Sequence, residues 1–300
     1  MIITSEEDKA SMNMREVFLS SKNYKFIEAD IKWQDHSILK LDSKAFGNKI
    51  DNFFDENQIF LGLTTEPLIF ITELIFSNPK FNPDLVIFAS RHTSKTAKPA
   101  FLVHTTGNWS NNTDFGGNPQ DLSKTSALLH KAGLESLREQ IEKKKLLDFS
   151  LDIEVTHHGP TNLKIPLIFM ELGSSKQEWL IKEAGELVAT AIFNAIFKYM
   201  IFKEENIQEV GLGFGGTHYA PNFHRIITSN NLALSFICPK YFIQELNEHI
   251  IKMMIDNTLE KLDYFIVDWK GINSQDRKHL IPLLEEFDIP VRKTRSFSII

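Results

Sequence analysis

The sequence predicts an α/β protein: a mixed central sheet flanked by helices. Three observations carry this expectation. Apolar runs rich in β-branched and aromatic residues recur at strand length along the chain. Several intervening segments space their apolar residues at i, i+3 and i+4, as a helix with one buried face does. Polar and special-geometry residues collect directly after the strand-like runs, where α/β proteins place function.

Taken in order, strands are expected at Ile2 to Thr4, Ile59 to Leu63, Leu68 to Thr72, Leu85 to Ala89 and Phe101 to Thr105. An amphipathic helix starts near Ser123 and runs through Leu128, Leu129, Leu137 and Ile141. Strands at Leu151 to Thr156 and Leu167 to Leu172 precede the clearest helix, where Trp179, Leu180, Ala184, Leu187, Val188, Ala191, Ile192, Ala195 and Ile196 form one continuous face. Val210 to Phe214, Leu232 to Ile237 and Tyr264 to Trp269 complete the strands, with helices following Pro239 and Asn273. No repeat, low-complexity tract or Pro/Gly/Ser-rich linker divides the chain, so residues 1–300 read as one continuous α/β domain.

At 300 residues and 42% apolar composition, the chain can bury a large core. Its start lacks the charged-then-apolar order of a signal peptide. No apolar run approaches the ~20 uninterrupted residues that cross a bilayer. A soluble, cytoplasmic protein with no membrane partner is expected. The single cysteine, Cys238, excludes an internal disulfide and a multi-thiolate zinc site, so metal ligands must be His and carboxylate. The net charge of −6 counts against a nucleic-acid substrate. A local patch would offset it; Lys143 to Lys145, Lys198 and Lys203, or Arg292, Lys293 and Arg295, offer such runs. Solvated surface charge is the commoner explanation of any one of them.

Four loops concentrate the chemistry. They are Ser90-Arg91-His92; His104 to Trp109, running on to Asp114-Phe115-Gly116-Gly117-Asn118-Pro119; Glu154 to Thr161; and Gly211 to Pro221. Five of the ten histidines fall in them. A core role explains one such histidine, whereas five at strand ends point to a site. The fourth loop contains G-x-G-x-x-G, but Pro221 and His218-Tyr219-Ala220 argue against the helix a dinucleotide fold needs there. Its glycines instead suit positive φ or close approach to a ligand.

His157 and His158 serve one site only if Gly159 and Pro160 turn the chain. Zinc without thiolates takes His nitrogen and carboxylate oxygen, which makes His92, His104, His157, His158, Glu171 and His218 the candidate metal ligands. The rival chemistry is metal-free: a histidine activates water while glycine-loop amides bind the oxyanion.

Several motifs, in order, resemble the archaeal and plant-type D-aminoacyl-tRNA deacylases. They are Ser90-Arg91-His92, His104-Thr105-Thr106-Gly107-Asn108-Trp109, Gly116-Gly117-Asn118-Pro119, Thr156-His157-His158-Gly159-Pro160-Thr161, Glu171-Leu172-Gly173-Ser174-Ser175, Gly215-Gly216-Thr217-His218-Tyr219-Ala220-Pro221 and Asp268-Trp269-Lys270-Gly271. Ser5, Asp8, Ala10-Ser11 and Asn13 resemble the family's opening, so the likeness spans nearly the whole chain. The polar spacer Asn111-Asn112-Thr113-Asp114 is less typical. The resemblance implies a fold related to peptidyl-tRNA hydrolase and nucleoside phosphorylases, hydrolysis of the D-aminoacyl ester at the tRNA 3′ end, and zinc as cofactor.

For that reaction, His157 and His218 are expected nearest the attacking water, with His104 as ligand or orienting partner and Glu171 as ligand or tautomer-fixing acceptor. Gly215, Gly216, Gly116 and Gly117 offer amides to the oxyanion or terminal adenosine. Asn108 suits the ribose or α-amino group, Arg91 a phosphate, and Trp109 and Tyr219 the terminal adenine or the core. No obligate protein partner is inferred. The alternatives are peptidyl-tRNA hydrolase or nucleoside phosphorylase activity on a related fold, and a non-catalytic tRNA-binding protein.

Overall fold

The computed structural model describes residues 1–42, 57–146 and 148–297. Its larger sheet contains β1 (Ile2–Ser5), β2 (Phe26–Trp33), β3 (His36–Leu41), β4 (Phe60–Thr64), β5 (Val86–Thr93), β6 (Ala100–His104), β7 (Ser150–Ile153) and β8 (Leu167–Ser174), in the order β2-β3-β4-β1-β5-β8-β6-β7. The central strands β4, β1, β5 and β8 are parallel, while β6 runs antiparallel to β8. The smaller sheet, β9 (Glu209–Phe214), β10 (Leu232–Cys238), β11 (Tyr264–Val267) and β12 (Val291–Lys293), is all parallel in the order β10-β9-β11-β12. The mixed, helix-flanked architecture matches the sequence expectation.

The helices are α1 (Lys9–Ser20), α2 (Ala127–Lys144), α3 (Lys176–Trp179), α4 (Lys182–Glu205), α5 (Pro221–Thr228), α6 (Glu248–Asp256) and α7 (Ser274–Glu285). Their starts follow local chemistry. Asp8, Ser126 and Asn247 cap α1, α2 and α6 by accepting an orphan backbone N–H, and Ser175 and Asn273 open α3 and α7 with capping boxes. Helix α4 is long and apolar enough by composition to cross a membrane, although Glu186, Thr190, Asn194 and Lys198 interrupt its apolar run. It packs on α1 and α2, with 56% of its apolar window buried in the protein, as a core helix does.

Alternation along the strands sorts the core into two layers. Ile2, Ile87, Ala89, Ile168 and Met170 face the helices; Ile3, Val86, Phe88, Leu167 and Phe169 face the other way, into a second cluster with Trp33, Leu68, Phe76 and Leu163. The helix-side cluster continues into Leu212, Leu234 and Phe265 of the smaller sheet, so one apolar core touches both sheets.

Several expectations need correction. Leu68 to Thr72 is not a strand: after Pro67 the chain makes a 3-10 turn at Leu68–Phe70 and buries Leu68 and Ile71 in the second cluster. Strands β2, β3 and β12 and helix α1 were not expected. Pro221 starts α5 instead of preventing it, because Pro at the first helical position has no N–H to leave unpaired and already has helical φ.

Candidate active site

The site grows from the alternation just described. Continuing along β5, β6 and β8 on the second face, Phe88 gives way to Ser90 and His92, and Phe169 to Glu171, while Leu102 is followed two residues on by His104. Register sets Glu171 beside Ser90 on one flank and Leu102 on the other, with Phe169 opposite His104. Gly173 lies opposite His92, where any Cβ would come within 2.6 Å of the His92 Cβ. The glycine therefore makes room for the imidazole.

The segment after β7 closes the site and ties the sheets together. Val155 N–H donates to the His218 carbonyl at 2.9 Å, Thr156 N–H to that of Ile237 at 3.0 Å, and Trp109 Nε1–H to that of Thr156 at 2.7 Å. The smaller sheet thus delivers His218 to the larger one. His158 adopts φ of +46°, so His157 and His158 turn to one side with ring centroids 4.5 Å apart. His104 lies beneath them, 4.4 and 4.8 Å away, and His218 sits 4.8 Å from His157.

Two buried carboxylates hold this group. Glu171 Oε2 lies 3.4 Å from His92 Nδ1, and its Oε1 is 3.7 Å from His104 Nε2. Glu154 lies 2.8 Å from His218 Nε2, 3.6 Å from His92 Nδ1 and 4.0 Å from His157 Nε2. The short His218 contact lacks hydrogen-bond alignment: both Glu154 oxygens, and Nε2 of His92 and His104, are buried without a hydrogen-bond partner.

Electrostatics divide the histidines. Burial pulls the His92 and His104 pKa values down, but Glu171 and Glu154 outweigh it and the net shift is upward. Burial and neighbouring imidazoles push His157 well below its ordinary value and His158 to about 3. Burial raises Glu171, but His104 and His92 more than reverse it. His104, His157 and His158 each direct Nδ1 at a backbone carbonyl, at 3.1, 2.8 and 2.6 Å, which suits the Nδ1–H tautomer and leaves Nε2 as the free lone pair. Three groups bring their ligand atoms within 4.8 Å of one another: His104-His157-His158, Glu154-His157-His218 and His92-Glu154-Glu171. Over them opens a cavity of about 690 Å³, bounded by Asp8, Arg91, Trp109, Phe115 and Tyr241 among others.

Residues 79–292 match the family model described as D-aminoacyl-tRNA deacylase. The chain is 31% identical over 292 residues to the D-aminoacyl-tRNA deacylase of Pyrococcus furiosus, covering 96% of this chain and 97% of the relative. It is 34% identical over 255 residues to that of Methanocaldococcus jannaschii, covering 82% and 92%. The chain belongs to the D-aminoacyl-tRNA deacylase family. A crystal structure described as a conserved protein of unknown function superposes with TM-score 0.78 at 28% identity, covering 99% of this chain and 95% of that one.

Within this deacylase, His92, His104, His157, His158, Glu171 and His218 come together in one cluster. Arg91 lines the cavity; its backbone N–H donates to Asp8 and its guanidinium to the Glu7 carbonyl. Asn108 is also in the wall, with its amide group donating to the carbonyls of Gly116 and Asn118. Trp109 is buried, and Tyr219 is 36% exposed beside His218 and His92. The four glycines have positive φ and stand behind the wall. Gly116 and Gly117 back Asn108, whereas Gly215 and Gly216 pack on Asp268. The amides of Gly116 and Gly215 already donate to Thr113 and Cys238 carbonyls.

Sequence reasoning missed Glu154 as a site residue, although it is the carboxylate common to two of the three groups. Its signal was available: an acid at the end of β7, three residues before His157. Asp8 was also missed. Its carboxylate accepts from Ser11 and Arg91 amides at the cavity edge, and burial pushes its pKa up to about 6.

Proposed function

We propose that the histidine–carboxylate cluster is the hydrolytic centre at which this deacylase cuts the ester joining a D-amino acid to the tRNA 3′ end, releasing free amino acid and tRNA. The observation that carries the proposal is the set of unpartnered buried atoms beneath the cavity: Nε2 of His92 and His104 and both Glu154 oxygens. Leaving one such atom unsatisfied costs about 1 to 3 kcal/mol, so their convergence beside an open cavity supports a ligand-binding role.

The donors fit zinc: imidazole lone pairs and carboxylates, with the only cysteine, Cys238, buried and outside all three groups. His104, His157 and His158 would hold one ion, with Glu154, Glu171 and His92 as further donors and His218 left free as a base. When bound, zinc would polarise the ester carbonyl and lower the pKa of a water toward ~7.

The chain's own groups supply the rest. Leu68, Ile69 and Phe242 give the cavity an apolar side for the amino-acid side chain. His157 and His218 flank Glu154 and border the cavity, facing the position of an attacking water. As the water oxygen bonds to the ester carbon, its proton passes to His218 Nδ1, the ring nitrogen that does not face Glu154, and Glu154, 2.8 Å from Nε2, stabilises the imidazolium. The carbon–oxygen bond to ribose then breaks, and the proton passes to the ribose oxygen. Arg91, on the cavity wall, would meet the terminal phosphate, and Tyr219 would stack on the terminal adenine, a contact worth ~1 to 3 kcal/mol. We also propose that the two sheets act as one domain, since His218 of the smaller completes the cluster of the larger, and that the protein works in the cytoplasm, where charged tRNA circulates.

The test is release of amino acid from matched D- and L-tyrosyl-tRNA by wild type and His157→Ala, with chelator and zinc add-back. Hydrolysis of the D-ester alone, abolished by the substitution and by chelation and restored by zinc, is the expected result. Equal rates on both esters, or an active His157→Ala, would contradict the proposal.

A further inference from the structure

The acidic net charge leaves open where a polyanion would bind, and the structure separates the basic runs. Those on the helical layer are partly neutralised: Lys144 pairs with Glu186 at 2.8 Å, and Lys198 with Glu139 at 2.8 Å and Glu135 at 3.5 Å. The C-terminal run is placed differently. Cys238, Phe214, Val267 and Lys293 align across the smaller sheet, so the residues following them form one continuous edge. Along that edge lie Lys240 after β10, His218 after β9, Lys270 after β11, and Lys293 and Arg295 at the end of β12. Lys240, Lys270 and Arg295 are exposed.

The edge is firmly built. Lys240 N–H donates to the Gly216 carbonyl at 3.0 Å, and Arg277 holds the Trp269 and Ile272 carbonyls at 2.9 and 2.7 Å. Lys293 Nζ lies 4.0 Å from the Trp269 ring centroid. Two acids there are buried and engaged, Asp268 accepting from Asn222 and Asp276 accepting from Gln244 and the Asn273 amide, while Glu245, at the end of the 3-10 turn after β10, is exposed. The Lys–carboxylate pairs of the described residues lie elsewhere, at Lys131, Lys144, Lys198 and Lys252. Ligands of parallel sheets bind beyond the carboxyl ends of the strands, which is where this edge lies.

We infer that Lys270, Lys293 and Arg295 form a phosphate track that carries the acceptor arm of the tRNA away from His218. Neighbouring strands are about 4.8 Å apart, so the track reaches roughly 10 Å beyond the strand that delivers His218. That reach accommodates backbone phosphates upstream of the esterified nucleotide, and contacts of this kind set register and affinity without reading sequence. The inference rests on the tRNA substrate assigned above.

The test compares wild type with Lys270→Gln/Lys293→Gln/Arg295→Gln on two substrates: full-length D-tyrosyl-tRNA and D-tyrosyl-adenosine, which has no upstream phosphates. Control protein carries the same charge loss on the helical layer, as Lys143→Gln/Lys145→Gln/Lys203→Gln. On full-length substrate the track variant should raise KM roughly tenfold or more at unchanged kcat, and its salt dependence should be shallower by about two to three in log–log slope. D-Tyrosyl-adenosine turnover and the control variant should match wild type. Equal loss on both substrates, an unchanged salt slope, or the same loss in the control would overturn the track. Should wild type cut neither ester, the deacylase assignment would fail, and the track would be decided by tRNA binding to the same three proteins.

Discussion

Two of the buried polar regions in this molecule are built on opposite terms. On α2, Lys131 donates to the carbonyls of Ile227, Asn230 and Leu232 at 2.9, 2.7 and 3.2 Å and pairs with Glu135. Its neighbour His130 spans the two sheets, from the Leu234 carbonyl on β10 to the Val103 carbonyl on β6. In the cluster around Glu154, by contrast, four buried polar atoms have no hydrogen-bond partner. Burial alone therefore does not distinguish a structural residue from a functional one, and neither does a single unsatisfied atom such as Ser136 Oγ on α2; several converging beside a cavity do. The Lys131 region ties helix to sheet through satisfied bonds, whereas the Glu154 region gathers unpartnered donors and acceptors beside the cavity.

That comparison can be broken at either end. The largest stability effect is expected at Lys131→Met, which strips three carbonyls of their donor. Chemical denaturation should show a loss of about 3 to 5 kcal/mol, with turnover per folded molecule unchanged. A turnover loss without destabilisation would place Lys131 in the site instead.

The next effect is on pH dependence. His158 is neutral when folded, with its pKa lowered from 6.5 to about 3, so the unfolded chain binds its proton first. The stability this neutral form contributes is complete above pH 6.5 and falls away as pH drops toward 3. His158→Gln should flatten that acid limb in denaturation curves taken at successive pH values. His92 and His104 shift the opposite way: they contribute stability below pH 6.5 that is lost as pH rises through their raised values. An acid limb unchanged in His158→Gln would mean that His158 is not the buried neutral group described.

The smallest effect is expected at Trp109→Phe, which keeps most of the buried ring but removes the donor to the Thr156 carbonyl. About 1 kcal/mol should be lost. D-Tyrosyl-tRNA turnover should hardly change, since the indole anchors the wall while the chemistry lies with the histidines. A turnover loss above tenfold would give the indole a direct part in substrate binding.

Much of this was legible in the sequence because it depends on short patterns. Alternating and continuous apolar runs marked the buried strands β1, β5, β6, β8, β9, β10 and β11, and the i, i+3, i+4 face marked α4. The histidine loops marked the cluster. The missed strands β2 and β3 lie at the sheet margin, where Glu28, Asp30 and Lys32 break up the apolar signal as edge strands commonly require. Leu68 to Thr72 has strand-like composition, but its apolar side chains cover a sheet face instead of joining a ladder. Glu154 stood at the head of a candidate loop, but which histidines it serves is a tertiary matter. Backbone bonds from Val155 to His218 and from Thr156 to Ile237, across the two sheets, make a strand-end acid the partner of three histidines.

The most direct test measures turnover and stability on one preparation of Glu154→Gln. The substitution keeps the shape and removes the charge that His92, His157 and His218 surround. D-Tyrosyl-tRNA hydrolysis should fall by about a thousandfold or more, while Tm stays equal to or above that of the metal-free wild type. Near-normal hydrolysis, or unfolding in place of inactivation, would show that Glu154 serves the fold and that the hydrolytic centre lies elsewhere.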